Sequence, residues 1–237
     1  MNNAQRILLA VYLPLTLLIL RFDQLYPGAA AVQYLKYTIM VALFIAVSSV
    51  HKKFGEQKLM AVSFFFLVIA DFFLVFATTI ENLKLDLTPL GIGGFLIAYL
   101  FLISAYQRNF KLGKAEVMVA IPVSGLFIYV FLCLESFVVG PMLFGTLIFG
   151  IVLSYMTWSA ICTLFRHYYR PAIAFLIALS GILMFICDLG VAYSLFHPLY
   201  AGAQVSWLKN IIWGAYIPGW TLLAVVISAE DLRIPWR

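Results

Sequence analysis

Charged residues are scarce in this chain. Asp, Glu, Lys and Arg make up 11% of its 237 residues, against roughly a quarter in a soluble domain. With 65% hydrophobic residues and a mean hydropathy of +1.04, that scarcity excludes a soluble globule. Polar, Pro-rich and Ser-rich stretches are missing at any length beyond a loop, so nothing reads as a separate soluble domain. Residues 1–237 are expected to form a single integral membrane domain. Cysteine is rare: Cys133, Cys162 and Cys187 are odd in number and lie inside apolar runs, which argues against a disulfide framework and suits small packing residues. Histidine is equally rare. His51 and His167 fall in loops on one side of the membrane and His197 on the other, so they cannot converge on a zinc ion as a three-histidine catalytic site requires. No metal and no cofactor is expected. The last apolar run has no lysine at its middle, only Lys209 at its entrance, which excludes a retinal Schiff base despite an aromatic content of 16%.

What the chain does have is long apolar runs. A helix needs about 20 residues to cross a ~30 Å hydrocarbon core. Eight runs qualify, near 7–22, 34–50, 59–78, 90–107, 116–134, 141–165, 171–196 and 207–228. The expected fold class is all-α, a polytopic membrane bundle of eight transmembrane helices. A cleavable signal peptide is the rival reading of the first run, with GAAA at 28–31 as its small-residue site. Arg21, Asp23 and Pro27 interrupt the way to that site, so the run is read as a retained helix. If all eight runs cross, one side collects Arg6, Lys52, Lys53, Lys58, Arg108, Lys111, Lys114, Arg166, Arg170, Arg233 and Arg237, and the other Arg21, Lys36, Lys84 and Lys209. Such an imbalance is a positive-inside pattern and puts both termini in the cytoplasm. The net charge of +5 follows this topology and does not gather on one face, so no nucleic-acid partner is expected.

Against that background two acids stand out. Of ten Asp and Glu, eight lie in loops or at run ends, and only Asp71, in FFFLVIADFFLVF, and Asp188, in GILMFICDLGVAYSLF, sit well inside apolar runs. A carboxylate in hydrocarbon costs at least a few kcal/mol and persists only with a partner, a water cavity or a task. Helices three and seven run in the same direction, and each aspartate lies about eight residues before the outer end, roughly 12 Å at 1.5 Å per residue. The two carboxyls therefore share one depth, slightly outside the midplane, and their spacing fits a weak four-plus-four internal repeat. Two carboxyls in one cavity can divide a proton, one neutral and one ionised, giving an acid and a base together. The plain alternative is that each only hydrogen-bonds across helices and fixes the bundle. Tyr99 in helix four and Tyr216 in helix eight reach the same layer, either to orient a carboxyl or water or simply to pack. Lys36 and Lys209 begin helices two and eight on the outer side, where each could snorkel or the two could hold an anionic headgroup.

Six stretches carry a resemblance: LKYTIM at 35–40, FLVIADFFL at 66–74, FLIAYL at 95–100, MTWSA at 156–160, GILMFICDLGVA at 181–192 and YIPGWTLLA at 216–224. In order and spacing they resemble the YhhN family of eight-helix membrane proteins, whose characterised members are lysoplasmalogenases. The best-matched positions are Asp71, Gly181, Phe185, Asp188 and Ala192. The chain departs from the family where it places Tyr99 at a usual histidine, Leu102 at the aromatic that follows, Trp220 at a glutamine and Tyr37 at a proline, which marks a divergent member. The resemblance implies a lysophospholipid partner in the membrane, whose vinyl ether Asp71 and Asp188 would hydrolyse as a catalytic acid–base pair, and the depth of Lys36, Tyr99, Tyr216 and Lys209 makes them candidates to bind that substrate. A bacterial inner (cell) membrane is the expected location. A proton-coupled transporter using the same carboxyls as a relay, and a structural or sensory module needing neither, stay open as alternatives, as does the oligomeric state.

Overall fold

The computed structural model describes residues 2–80, 85–200 and 205–234. Among the described residues, eight helices are long and apolar enough to cross a membrane, which makes this an integral multi-pass membrane protein. They are α1 (Asn3–Leu25), α2 (Ala30–Ser49), α3 (Gly55–Asp71), α4 (Thr88–Tyr106), α5 (Lys114–Leu134), α6 (Pro141–Cys162), α7 (Pro171–Phe196) and α8 (Ser206–Ile227). Helix is the only open-chain answer in hydrocarbon, because every backbone N–H and C=O must be paired within the segment. The ends follow local chemistry. Asn2 caps α1 by accepting from the Gln5 N–H at 2.9 Å, while its own N–H donates back to Gln5 Oε1. Pro141 and Pro171 open α6 and α7, where a missing N–H costs nothing. Lys84 and Arg237, both counted in the charge pattern, lie outside the described residues.

The helices pair in a regular way. α3 packs along α4 and α7 along α8; α2 lies on α3, α6 on α7 and α4, α1 on α8, and α5 on α6. The α6–α7 contact is close because Gly181 has no side chain: a Cβ there would lie 2.6 Å from the Ala160 Cβ. α3 does not continue as a plain α-helix. After Asp71 it becomes a π turn (Phe72–Phe76) and then a 3₁₀ turn (Ala77–Thr79), and such π turns inside helices occur often at functional sites.

The two ends of the bundle differ. At the end that holds both termini, side chains tie segments together: Asn2 Nδ2 donates to Ser228 O at 2.7 Å, Gln5 Nε2 to Val225 O at 3.0 Å, and Gln57 Nε2 to Ile227 O at 2.8 Å and Ala229 O at 2.7 Å. The tail after α8 pairs with the α6–α7 connection through Arg170 N–H to Leu232 O at 3.2 Å and Ile234 N–H to Tyr168 O at 3.0 Å. Buried Glu56 closes this end, accepting from Arg108 at 2.9 Å, Arg233 at 2.5 Å and the Tyr168 hydroxyl at 2.8 Å. Burial, then the Glu56 carboxylate, pushes the Tyr168 hydroxyl up to about 12, so it stays a donor. At the opposite end lies a cavity.

Candidate functional site

The cavity has a volume of about 310 Å³ and is lined by Asp71, Asp188 and Tyr216 at its base. Helical spacing puts it there. Asp71, Leu74, Val75 and Thr78 form one stripe of α3 and its extension, and Asp188, Val191, Ala192 and Leu195 form the matching stripe of α7, each running from a carboxyl to the helix end. Both aspartates are nearly sealed from solvent, at 2% and 8% exposure. Neither has a cation within ion-pair distance among the described residues. Each instead accepts from a tyrosine. The Tyr99 hydroxyl donates to Asp188 Oδ2 at 2.5 Å, and the Tyr216 hydroxyl lies 2.6 and 2.7 Å from the two oxygens of Asp71.

The exchange is reciprocal. The aspartate of α3 meets the tyrosine of α8, and that of α7 meets the tyrosine of α4. Equivalent partners stand 117 residues apart in both cases, 71 to 188 and 99 to 216. The lining obeys the same interval: Leu74, Val75 and Thr78 answer to Val191, Ala192 and Leu195, and Ile92 and Phe95 to Lys209 and Ile212. The four-plus-four pattern thus has a structural counterpart, with the cavity between its halves. It breaks at the outer helices. α1 seals against α8, whereas α5, its counterpart, makes no comparable packing with α4 and leans on α6.

The basic residues do not both sit where the sequence suggests. Lys209, four residues into α8, lines the cavity near its mouth together with Gln33 of α2. Lys36 is seven residues into α2, wholly buried, and forms an ion pair with Asp23 of α1 at 2.5 Å. The reading of Lys36 as an outer helix cap that snorkels, or that shares a headgroup with Lys209, is corrected: its ammonium turns inward because Asp23 is also buried, at 4% exposure. Asp71 and Asp188 are the two acids well inside the spans, but three acids near helix ends, Asp23, Glu56 and Glu116, are buried as well. End position says nothing of which way a side chain faces. The only signal was an acid just past the end of one apolar run and a lysine early in the next.

The Asp23–Lys36 pair reaches the site through aromatic rings. Lys36 Nζ lies 4.4 Å from the centroid of the Trp213 ring, and that ring meets Tyr216 edge-on at 5.3 Å. Trp213 also lines the cavity, a role no sequence motif indicated. The departures from the family pattern are packed in. Tyr37 lies against Phe72 and Phe76 of the π turn, and Trp220 meets Phe64 at 5.0 Å below the site. Cys187, read as packing, is buried and lines the cavity beside Asp188. His51 and His167 belong to the end with the termini and His197 to the other, where its ring packs with Tyr193, Tyr200 and Phe137.

The family model described as the YhhN family matches residues 32–227, from α2 to the last residue of α8. The chain belongs to the YhhN family. No curated protein and no solved structure matches it.

Proposed function

We propose that this YhhN-family chain is a membrane hydrolase of the lysoplasmalogenase type, the activity that the family includes. The observation that carries the reading is a pair of buried carboxyls, Asp71 and Asp188, lining one cavity with a hydroxyl partner each and no cation within ion-pair distance among the described residues. A vinyl ether is hydrolysed by protonation of its alkene carbon. The neutral carboxyl gives its proton there and a C–H bond forms. The oxocarbenium ion left behind is stabilised by the ionised carboxylate. That carboxylate then takes a proton from water as the water oxygen bonds to the cationic carbon. The pair is then singly protonated again, and the hemiacetal breaks its C–O bond to glycerol as the protonated carboxyl gives its proton to the leaving glycerol oxygen and the other carboxylate takes the hemiacetal hydroxyl proton, releasing a fatty aldehyde and a glycerophospho-headgroup. The two carboxyls act as one titrating unit. Tyr99 and Tyr216 orient them, and the headgroup phosphate lies at the mouth beside Lys209 and Gln33.

The excess of Lys and Arg at the end with the termini supports a cytoplasmic position for that end, so the mouth faces the outer leaflet of a cell membrane. A proton-coupled transporter needs a polar route onward from the carboxyls. Below them lies a buried layer of Phe64, Leu67, Leu102 and Trp220, in which the hydroxyls of Ser63, Thr157, Ser180 and Thr221 donate to backbone carbonyls, and this supports the hydrolase reading instead. The test is mass spectrometry of lipids after purified protein meets a panel of lyso-ether, lyso-ester and vinyl-ether phospholipids. Fatty aldehyde released from the vinyl ether alone is the expected result. No aldehyde, together with pH-gradient-driven uptake into vesicles, would replace the hydrolase with the transporter.

A further inference from the structure

The cavity is small for a lysolipid. At about 310 Å³ it sits at the low end of the roughly 300–1,000 Å³ that ligand pockets span. A pocket of that size suits a headgroup and the first part of a chain better than a whole lysolipid. One wall is also weak. α5 is the least buried of the eight spans, leans on α6 and touches α7 only lightly. Along that seam Val130 and Phe131 of α5 and Val191 and Leu195 of α7 all line the cavity, so an apolar arm runs from the carboxyls toward the lipid between these helices. Its inner wall is Phe127, whose ring lies on Gly150 of α6; a Cβ at Gly150 would fall 2.2 Å from the Phe127 Cε2.

We infer that the seam between α5 and α7 is a lateral passage for a single alkyl chain, whose near part lies in the arm against Phe127 and whose far end stays in the bilayer. The inference rests on the proposed lysolipid substrate and adds where its chain goes. An enclosed pocket would have to fit the whole chain, whereas a side passage recognises only the first carbons after the ether oxygen. Bulk near the headgroup and bulk at the chain terminus are therefore treated differently. Phe127 is the side chain that decides how much bulk the near part carries. Gly150 is what gives Phe127 its place, because any side chain there drives the ring into the arm or α5 away from α6.

The probes are non-cleavable saturated alkyl-ether lysophosphocholines carrying a pyrene either at the chain terminus or on the carbons next to the ether, with unlabelled lipid as reference. Binding to the full-length protein in nanodiscs is read by competition. The terminal label should leave affinity within about two-fold of the reference, and the near label should weaken it about ten-fold or more, the scale of a misfit of one or two methylenes. Phe127→Ala should recover most of the loss for the near label. Gly150→Ala should weaken the unlabelled chain while chain-free glycerophosphocholine competes as before. If Gly150→Ala fails to fold, the Phe127→Ala comparison decides alone. Equal refusal of both labels, or a near-label penalty that Phe127→Ala leaves unchanged in a protein with the parent melting temperature, would overturn the inference. Because these ethers are not cleaved, absence of aldehyde release from a vinyl ether would remove the hydrolase reading and leave the passage standing, whereas full hydrolysis with equal refusal of both labels would do the reverse.

Discussion

Buried acids occur in both halves of this bundle, and they are provided for in opposite ways. Glu56, at the end with the termini, has two arginines and a tyrosine around its carboxylate and lies among segments tied by backbone pairing. Asp71 and Asp188 have one tyrosine each, no cation within ion-pair distance among the described residues, and a cavity beside them. A carboxylate neutralised on every side is held in one protonation state and serves as a staple. A carboxyl with a hydroxyl partner and open space can change its proton, and the cost of burying it is tolerated for that reason. Asp23 stands between the two kinds: ion-paired like Glu56, though through one oxygen and one lysine, and its partner Lys36 is one aromatic ring away from Tyr216.

The largest expected effect tests that intermediate case. Asp23→Asn leaves the Lys36 ammonium buried without its counter-charge, and breaking a buried pair from one side costs about 3–5 kcal/mol. A matching fall in stability is expected in a thermal or denaturant unfolding assay in detergent. Asp23→Asn combined with Lys36→Met should recover most of it, because no uncompensated charge remains. If the single variant is as stable as the parent, the pair is not the buried staple that its geometry describes.

Next come the cavity acids, where the loss should appear in turnover and not in folding. Asn at Asp71 or at Asp188 keeps volume and hydrogen bonding and deletes the proton. Aldehyde release should fall about 100-fold or more, the scale of losing general acid or base help, with a melting temperature close to the parent's. The mirror experiment is Glu56→Gln. Its arginines are partly exposed and can hydrate themselves, at 44% and 32%, so about 1–3 kcal/mol of stability should be lost while activity per folded molecule stays level. Near-full turnover in the aspartate variants would return those carboxyls to the staple class.

Much of this contrast was legible in the sequence. Asp71 and Asp188 interrupt apolar runs, so position alone flagged them, and equal distance from the helix ends put them at one depth. The eight spans and the tyrosine layer followed from run length and a rise of about 1.5 Å per residue. Lys36 was misread because it lies near a run end, where snorkelling is the default, and its partner Asp23 went unnoticed for the same reason. Burial there depends on the rotation of α1 against α2, which composition does not encode when runs are apolar on every side. Trp213 escaped for the same reason. The stand-off of α5 is a packing difference between two halves of similar pattern, and no local residue announces it.

The tyrosines sharpen the comparison at a smaller scale. Tyr99→Phe and Tyr216→Phe each remove one hydroxyl donor from a buried carboxyl. About a ten-fold loss of turnover is expected from each, near 1.4 kcal/mol, with little change in KM. The reciprocal geometry makes the two losses similar. If one variant is silent and the other severe, the halves are not equivalent in the reaction, and the severe one marks the carboxyl whose orientation limits the rate.

The smallest expected effect falls at the mouth. Lys209 lines the cavity four residues into α8, while Lys36 turns its charge to Asp23, so the two lysines should respond differently to the same change. A phosphate held by an ammonium is held alike in the ground state and the transition state, so losing it raises KM more than it lowers kcat. Lys209→Gln should therefore raise KM a few-fold at low ionic strength. The gap should close as salt is added, since a partly exposed charge is screened over roughly 10 Å at 0.1 M. Lys36→Gln should instead lower stability and leave the salt dependence of KM as in the parent, because its removal strands Asp23 and touches no headgroup. A KM unmoved in Lys209→Gln would shift the phosphate away from this rim, and a salt-dependent KM in Lys36→Gln would mean that the buried pair opens to the substrate.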